Sequence, residues 1–177
     1  TYEFNSSGDP DGHYWNFVNG FLRDEGLRWY KCENAECRGG ALVITGKKER
    51  VVNPKYVPGS SNWKTNREYA EYTSTSMTTY GKFDFQYGRL EVRAKIPTGK
   101  GAWPAIWTLG NWNDWPSCGE IDVLEYYLVG NEPHIFANTA WGTNQAWSAK
   151  WNTVKTKFSD FVARDADWAK KHHIWRM

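Results

Sequence analysis

The stretch 89–96 limits the fold more than any other part of this chain. Leu90, Val92, Ala94 and Ile96 alternate with Glu91, Arg93 and Lys95. A strand, with its period of two, gathers the apolar set onto one face, whereas a helix would scatter it around the axis. Pro97-Thr98-Gly99 then stops the run. The same pattern of short apolar runs between turn residues recurs. Residues 41–49 open after Gly39-Gly40 and carry Leu42, Val43 and Ile44, and further strands are expected at 103–109, 120–127 and 133–142. Only 152–171 leaves room for a helix, and its weak periodicity predicts short turns within a long loop. Strands at this spacing indicate an all-β sandwich or barrel. No repeat, low-complexity tract or linker divides the 177 residues, so a single domain over 1–177 is the simplest expectation.

Composition narrows the function. Lys and Arg total 22 against 20 Asp and Glu, a formal charge of +2, which gives no electrostatic reason to expect a nucleic-acid partner. No run of 18 apolar residues is present, so no membrane span is expected. The N-terminal residues lack a basic region followed by an apolar stretch, so no signal peptide is read there; a mature secreted protein would look the same. Aromatic residues make up 17% of a chain whose mean hydropathy is −0.74. So many rings in so polar a chain imply that some meet solvent for a purpose, and sugars have flat apolar faces that stack on rings. Of the three cysteines, Cys32 and Cys37 flank the turn 33–36, across which a small disulfide would fit if they are not simply reduced, and no metal-type Cys/His pairing appears.

The chemistry concentrates in 119–127, Gly-Glu-Ile-Asp-Val-Leu-Glu-Tyr-Tyr. In a strand, Glu120 and Asp122 share a face and Glu125 is out of phase by one. A β-bulge at Val123-Leu124, two adjacent apolar residues that both tend inward, would bring Glu125 onto the carboxylate face. Glu120 and Glu125 would then stand about 13 Å apart at Cα. Leaning side chains can close that to the ~5–5.5 Å of a retaining glycosidase, against ~6.5–9.5 Å for an inverting one. Three carboxylates on one face cannot all ionise cheaply, so one is held protonated as a general acid while another attacks. The bland alternative is a solvated strand face. It fits poorly, because acidic residues are disfavoured in strands and stacked like charges repel. A single straight strand is also a poor calcium site.

Upstream, Trp103, Ala105 and Trp107 share one face while Ile106 faces the core, and Trp112 and Trp115 lie in the loop before Glu120. Any one tryptophan is as readily a core residue, but the cluster beside Glu120 favours stacking on sugar rings. Trp63, Trp141, Trp147 and Trp151 fit either a cleft or the core, and Trp141 joins the candidate substrate-binding set.

These residues resemble the laminarinase-like members of glycoside hydrolase family 16. The family's bulged Glu-x-Asp-x-x-Glu is matched by Glu120, Asp122 and Glu125, and its Trp-Pro-Ala-x-Trp by 103–107. The runs 87–97 and 115–119 and the opening Glu3-Phe4-Asn5 are similar too. The resemblance implies a jelly-roll β-sandwich with a glycan cleft on its concave face. It also implies that Glu120 is the nucleophile, Asp122 its assistant and Glu125 the acid/base. Many members hold a structural calcium on the convex side, for which Glu3 and the Gly40 carbonyl are the candidate ligands; catalysis itself needs no cofactor.

Departures from the family pattern are Ser76 after Thr73-Ser74-Thr75 where many members have Arg, Asp24 after Arg23 where many have Asn, and Ala140 before Trp141-Gly142 where many have His, with His134 nearby. Family domains also continue for several strands past a segment like 173–177, so a C-terminal fragment or second chain is expected to complete the sandwich. The reading is a secreted, periplasmic or cell-surface endo-hydrolase of β-1,3-glucan, or of mixed β-1,3/1,4-glucan. The alternative is a non-catalytic glucan-binding module using the tryptophans. A transglycosylase or a hydrolase of sulfated galactans is a weaker fit, since 103–127 contains no Lys or Arg.

Overall fold

The computed structural model describes residues 1–23 and 25–177, so the departure at Asp24 lies outside the described residues. The chain forms two compact units, Thr1–Gln86 and Tyr87–Met177.

The first unit is a set of short strands: β1 (Asn16–Phe17), β2 (Arg28–Tyr30), β3 (Ala35–Arg38), β4 (Ala41–Ile44), β5 (Val51–Val52), β6 (Tyr69–Ala70), β7 (Tyr72–Ser74) and β8 (Met77–Thr78). They pair as β1 with β8, β3 with β4 and β5 with β6, all antiparallel, and β2 with β7 in parallel. Strand β4 is shorter than the expected 41–49. The β3–β4 hairpin turns on Gly39 and Gly40, with φ of 59° and 75°, the left-handed conformation a two-residue turn demands. Phe21, Trp29 and Ala70 form a small core, with Val51 and Trp63 packed on it. Asn34 is buried, and its amide donates to Thr73 Oγ1 at 2.9 Å and to the Thr45 carbonyl at 2.7 Å. Ser76 accepts a 3.3 Å bond from Arg23.

The structure has Cys32 and Cys37 as free thiols. The segment between them is no simple turn. Residues Cys32–Asn34 form a 3-10 turn that leaves Cys32 exposed, and β3 then points Cys37 inward to full burial.

The second unit holds β9 (Glu91–Ala94), β10 (Ala105–Leu109), β11 (Glu120–Val129), β12 (Glu132–Gly142), β13 (Ala149–Lys157), helix α1 (Phe158–Arg164) and β14 (His173–Arg176). Strands β10 to β13 form one antiparallel sheet in sequence order, and β14 pairs with β9. Leu124, Tyr126, Ile135, Ile96 and Trp168 are its buried core, with Ile106, Leu128, Phe158, Phe161 and Trp175 against it. Residues 149–157, of which the sequence assigns 152–157 to a long loop, are in fact a nine-residue strand. Nearly all its side chains are exposed, so it carries no apolar alternation to read. Its strand character comes from the ladder with β12 and from Thr153, Val154 and Thr156, whose branched side chains suit a pleated surface.

Candidate active site

The ladder registers decide which side chains meet. Asp122 pairs with Asn138 and Glu125 with Phe136, so Val123 and Leu124 together stand opposite Ala137. On the other flank Ile106 pairs with Leu124 and Trp107 with Asp122, which skips Val123 again. The extra residue is the expected bulge. It sends Leu124 into the core at full burial and turns Glu125 onto the face of Glu120 and Asp122.

Paired residues of neighbouring strands share a face. Three rows therefore cross the sheet from β10 to β13: Leu109–Glu120–Ala140–Trp151, Trp107–Asp122–Asn138–Thr153 and Ala105–Glu125–Phe136–Lys155. A fourth row of Tyr127, His134 and Lys157 follows. Trp107 thus lies beside Asp122, a pairing that the register supplies. Trp151, whose place the sequence leaves open, stands on the carboxylate face in the row of Glu120. Trp141 pairs with Lys150, and strand alternation directs it to the opposite face from Ala140. Trp112 is 74% exposed in the loop before β11. His134 is buried in the fourth row, with Nδ1 2.9 Å from the Glu132 carbonyl, and is engaged there rather than at Glu120.

Two tryptophans do something that the sequence does not disclose. Trp115 Nε1 donates to Glu120 Oε2 at 2.6 Å, and Trp103 Nε1 donates to Glu125 Oε1 at 2.8 Å. Asn138, absent from the sequence-derived set, donates through Nδ2 to Asp122 Oδ2 at 3.0 Å and to Glu125 Oε2 at 2.9 Å. Those two oxygens are therefore within about 6 Å of each other. Glu120 and Asp122 are hydrogen-bonded through their side chains. One continuous chain results: Trp115, Glu120, Asp122, Asn138, Glu125, Trp103. No pattern in the sequence around Asn138 marks it out; only its register opposite Asp122 does.

Burial pushes the Glu120 carboxyl up to about 7, and the charges of Asp122 and Glu125 push in the same direction, while the Trp115 N–H opposes them. The site therefore holds a proton near neutral pH. The loop that carries Trp115 is closed by Gly110 N–H donating to the Gly119 carbonyl at 3.1 Å. A Cβ at Gly110 would meet the Cys118 carbonyl oxygen at 2.0 Å, so only glycine permits this closure. Trp115→Phe removes the donor and keeps the ring. It should raise the Glu120 pKa and move the acid limb of the pH–kcat/KM profile to higher pH by about half a unit or more, a shift that a pH–rate series reads directly.

Beyond the carboxylates, Tyr127 stacks on Phe136 at 4.2 Å and 8°, and Trp103 tilts against Tyr127 at 5.2 Å. Trp115 and Trp151 lie 6.4 Å apart. Exposed ring faces at Trp103, Trp115 and Trp151 (39–49% exposed) thus flank the acidic row. Glu3 and Gly40, in the first unit, are both exposed, and no group of three His, Cys, Asp or Glu side chains suited to a metal occurs among the described residues. Calcium takes six to eight oxygens, so these two residues do not by themselves fit the ion.

The chain is 32% identical over 191 residues to a beta-glucanase from Rhodothermus marinus, which covers 98% of this chain and 59% of that protein. Among solved structures it is similar to one reported under endo-acting O-glycanases that prominent members of the human gut microbiota express to initiate mucin breakdown. That match has a TM-score of 0.83 and 30% identity, and covers 100% of this chain and 63% of the other. It is also similar to the laminarinase catalytic domain from Thermotoga maritima MSB8, with a TM-score of 0.73 and 31% identity over 99% of this chain and 68% of that one. The chain thus spans about six-tenths of the first two of these proteins. The family model for an XgeA-like, catalytic GH16 domain matches residues 15–172, a span that includes all three carboxylates and the Trp103-to-Trp107 motif. With that match and a jelly-roll fold shared with these structures, the chain belongs to glycoside hydrolase family 16.

Proposed function

We propose that this chain is the catalytic part of a secreted, retaining endo-β-glycosidase acting on β-1,3-glucan or mixed β-1,3/1,4-glucan. The observation that carries the reading is the hydrogen-bonded chain joining Glu120, Asp122 and Glu125 between two indole donors on an open, ring-flanked sheet face. A module that only bound glucan would gain nothing from gathering three mutually repelling carboxylates. In the proposed reaction a Glu120 oxygen attacks the anomeric carbon as the glycosidic C–O bond breaks. Glu125 gives its proton to the departing oxygen. A water then loses a proton to Glu125 and attacks the same carbon, which frees Glu120 and restores the original configuration. Asp122, bonded to Glu120, keeps the shared proton within the site. A structural calcium would need ligands beyond Glu3 and Gly40, and no step depends on one.

Among the described residues, no helix is long and apolar enough to cross a membrane. The sheet face opposite the carboxylates leaves Ile121, Trp141 and Val154 exposed. In this reading a further β-segment, C-terminal or from a second chain, covers it.

A second substrate class has its own support. Strand β13 brings Lys155 onto the carboxylate face in the row of Glu125, two strand spacings or about 10 Å away. Lys157 follows but is held by Glu132 at 3.0 Å. Together with the similarity to the O-glycanase structure, this favours a β-linked glycan with anionic substituents, of the mucin O-glycan type. A product profile on laminarin, lichenan and mucin O-glycans, with the anomer followed by NMR, separates the classes. Release of retained-configuration oligosaccharides from laminarin alone supports the glucan reading. Under the second reading, Lys155→Gln should cut kcat/KM on sulfated or sialylated glycans about tenfold and leave neutral ones unchanged. Inverted products would end both readings.

A further inference from the structure

We propose that Asn138 is the positioning residue of the acid/base carboxylate: its amide ties Glu125 to Asp122 and holds Glu125 in its ionised form until substrate arrives. The inference rests on the roles proposed above. Asn138 is 6% exposed, so water cannot replace what its amide does. Both Nδ2 hydrogens are committed, one to Asp122 Oδ2 and one to Glu125 Oε2. Glu125 Oε1 already accepts from Trp103. A carboxyl whose two oxygens each receive an N–H is stabilised as the anion. To act as an acid, Glu125 must take a proton on an oxygen that faces one of these donors. That oxygen keeps a second lone pair for the proton, but once protonated it is a weaker acceptor, so both donors hold back the neutral form, and the buried amide is the less free to move away.

The register explains how the residue reaches both partners. Asn138 stands opposite Asp122, one row from Glu125, and the bulge compresses that interval on β11. The titratable groups facing Glu125 are Glu120, Asp122 and Tyr127 on its own strand, His134 on β12 and Lys155 on β13; β10 contributes none. Glu120 and Asp122 discourage a second negative charge, so donation from Asn138 works against the local field. Such a device keeps Glu125 ready to serve as base in the second half-reaction, when it must accept a proton from water.

The test is Asn138→Leu, which has nearly the same size and no donor, alongside Asn138→Thr, which keeps a single donor. The Glu125 carboxyl is titrated by carbon NMR, which does not depend on turnover, and pH–kcat/KM is measured on laminarin. The Glu125 midpoint and the basic limb should both rise by about one pH unit in the leucine variant. The threonine variant should fall in between, and kcat should drop about tenfold or more with KM within twofold. A purely structural role would lower the Tm and the active fraction and leave every midpoint where it was; that result overturns the proposal. If Asn138→Leu fails to fold, the threonine variant carries the same decision. A parent protein that cleaves no glycan would remove the proposed function, while the NMR titration would still judge the tie between Asn138 and Glu125.

Discussion

Glu120→Gln should abolish glycan hydrolysis, by about 10⁴-fold or more in kcat, because an amide cannot form the covalent glycosyl ester. The fold should survive, and above neutral pH it should become more stable. Gln keeps an oxygen to accept the Trp115 N–H and carries no charge. Burial and its acidic neighbours push the folded-state pKa of Glu120 up to about 7 from the ordinary 4.5 of a glutamate. A carboxyl shifted upward favours folding below its unfolded pKa, and that contribution is lost as pH rises through the folded value. At pH 8 the parent therefore bears a poorly solvated charge that the variant lacks. The side chain is only half buried, so solvent screens most of the penalty. About 1 kcal/mol should remain, a Tm gain of roughly 2–4 °C for a chain of this size. Near pH 4 the two proteins should melt together. Normal turnover in the variant, or a Tm difference that does not change with pH, would remove Glu120 from the assigned role.

Glu125→Ala is the second large effect, and it separates the two carboxylates. Loss of the general acid should lower hydrolysis of laminarin about 10³-fold. An aryl β-laminarioside with a good leaving group needs little protonation, so its glycosyl transfer to Glu120 should persist and the ester should accumulate. Azide needs no general base, and it should restore turnover and give a glycosyl azide of retained configuration. Glu120→Ala should show no such selectivity between the two substrates. If azide instead rescues at position 120 and not at 125, the roles are exchanged. Such an exchange is a fair physical question. In the free protein Glu125 accepts N–H donors on both oxygens while Glu120 holds a raised pKa, so substrate binding must redistribute the proton. A glycan placed over Glu125 withdraws water and favours its neutral form, which gives that redistribution a cause.

Side-chain chemistry and strand periodicity made part of this site legible without coordinates. Acidic residues at 120, 122 and 125 inside an apolar run violate strand preference, and such violations mark function. Val123 next to Leu124 carried the bulge in plain view, since two adjacent apolar residues cannot both face the core of a regular strand. The alternation at 89–96 and the core position of Ile106 were readable for the same reason. Strand β13 was not. An exposed strand has no apolar face, so in 149–157 only the branched side chains of Thr153, Val154 and Thr156 hint at one, and the ladder with β12 decides it. The absence of basic residues between 103 and 127 suggested a cleft poorly suited to sulfated glycans, yet pairing of β12 with β13 places Lys155 on its face.

The sequence by itself determined the kind of chemistry, because carboxylates, indoles and period-two patterning are local properties that survive without a fold. It also determined which strand bends and where. Only the tertiary structure decided that Asn138 joins Asp122 to Glu125, that Trp103 and Trp115 offer their N–H groups rather than their faces alone to the carboxylates, and that Trp151 and not Trp141 shares their side of the sheet. Each of these depends on the register between strands. Register is fixed by the summed burial of whole faces and not by any single residue, so it has no signature that one stretch of sequence can carry.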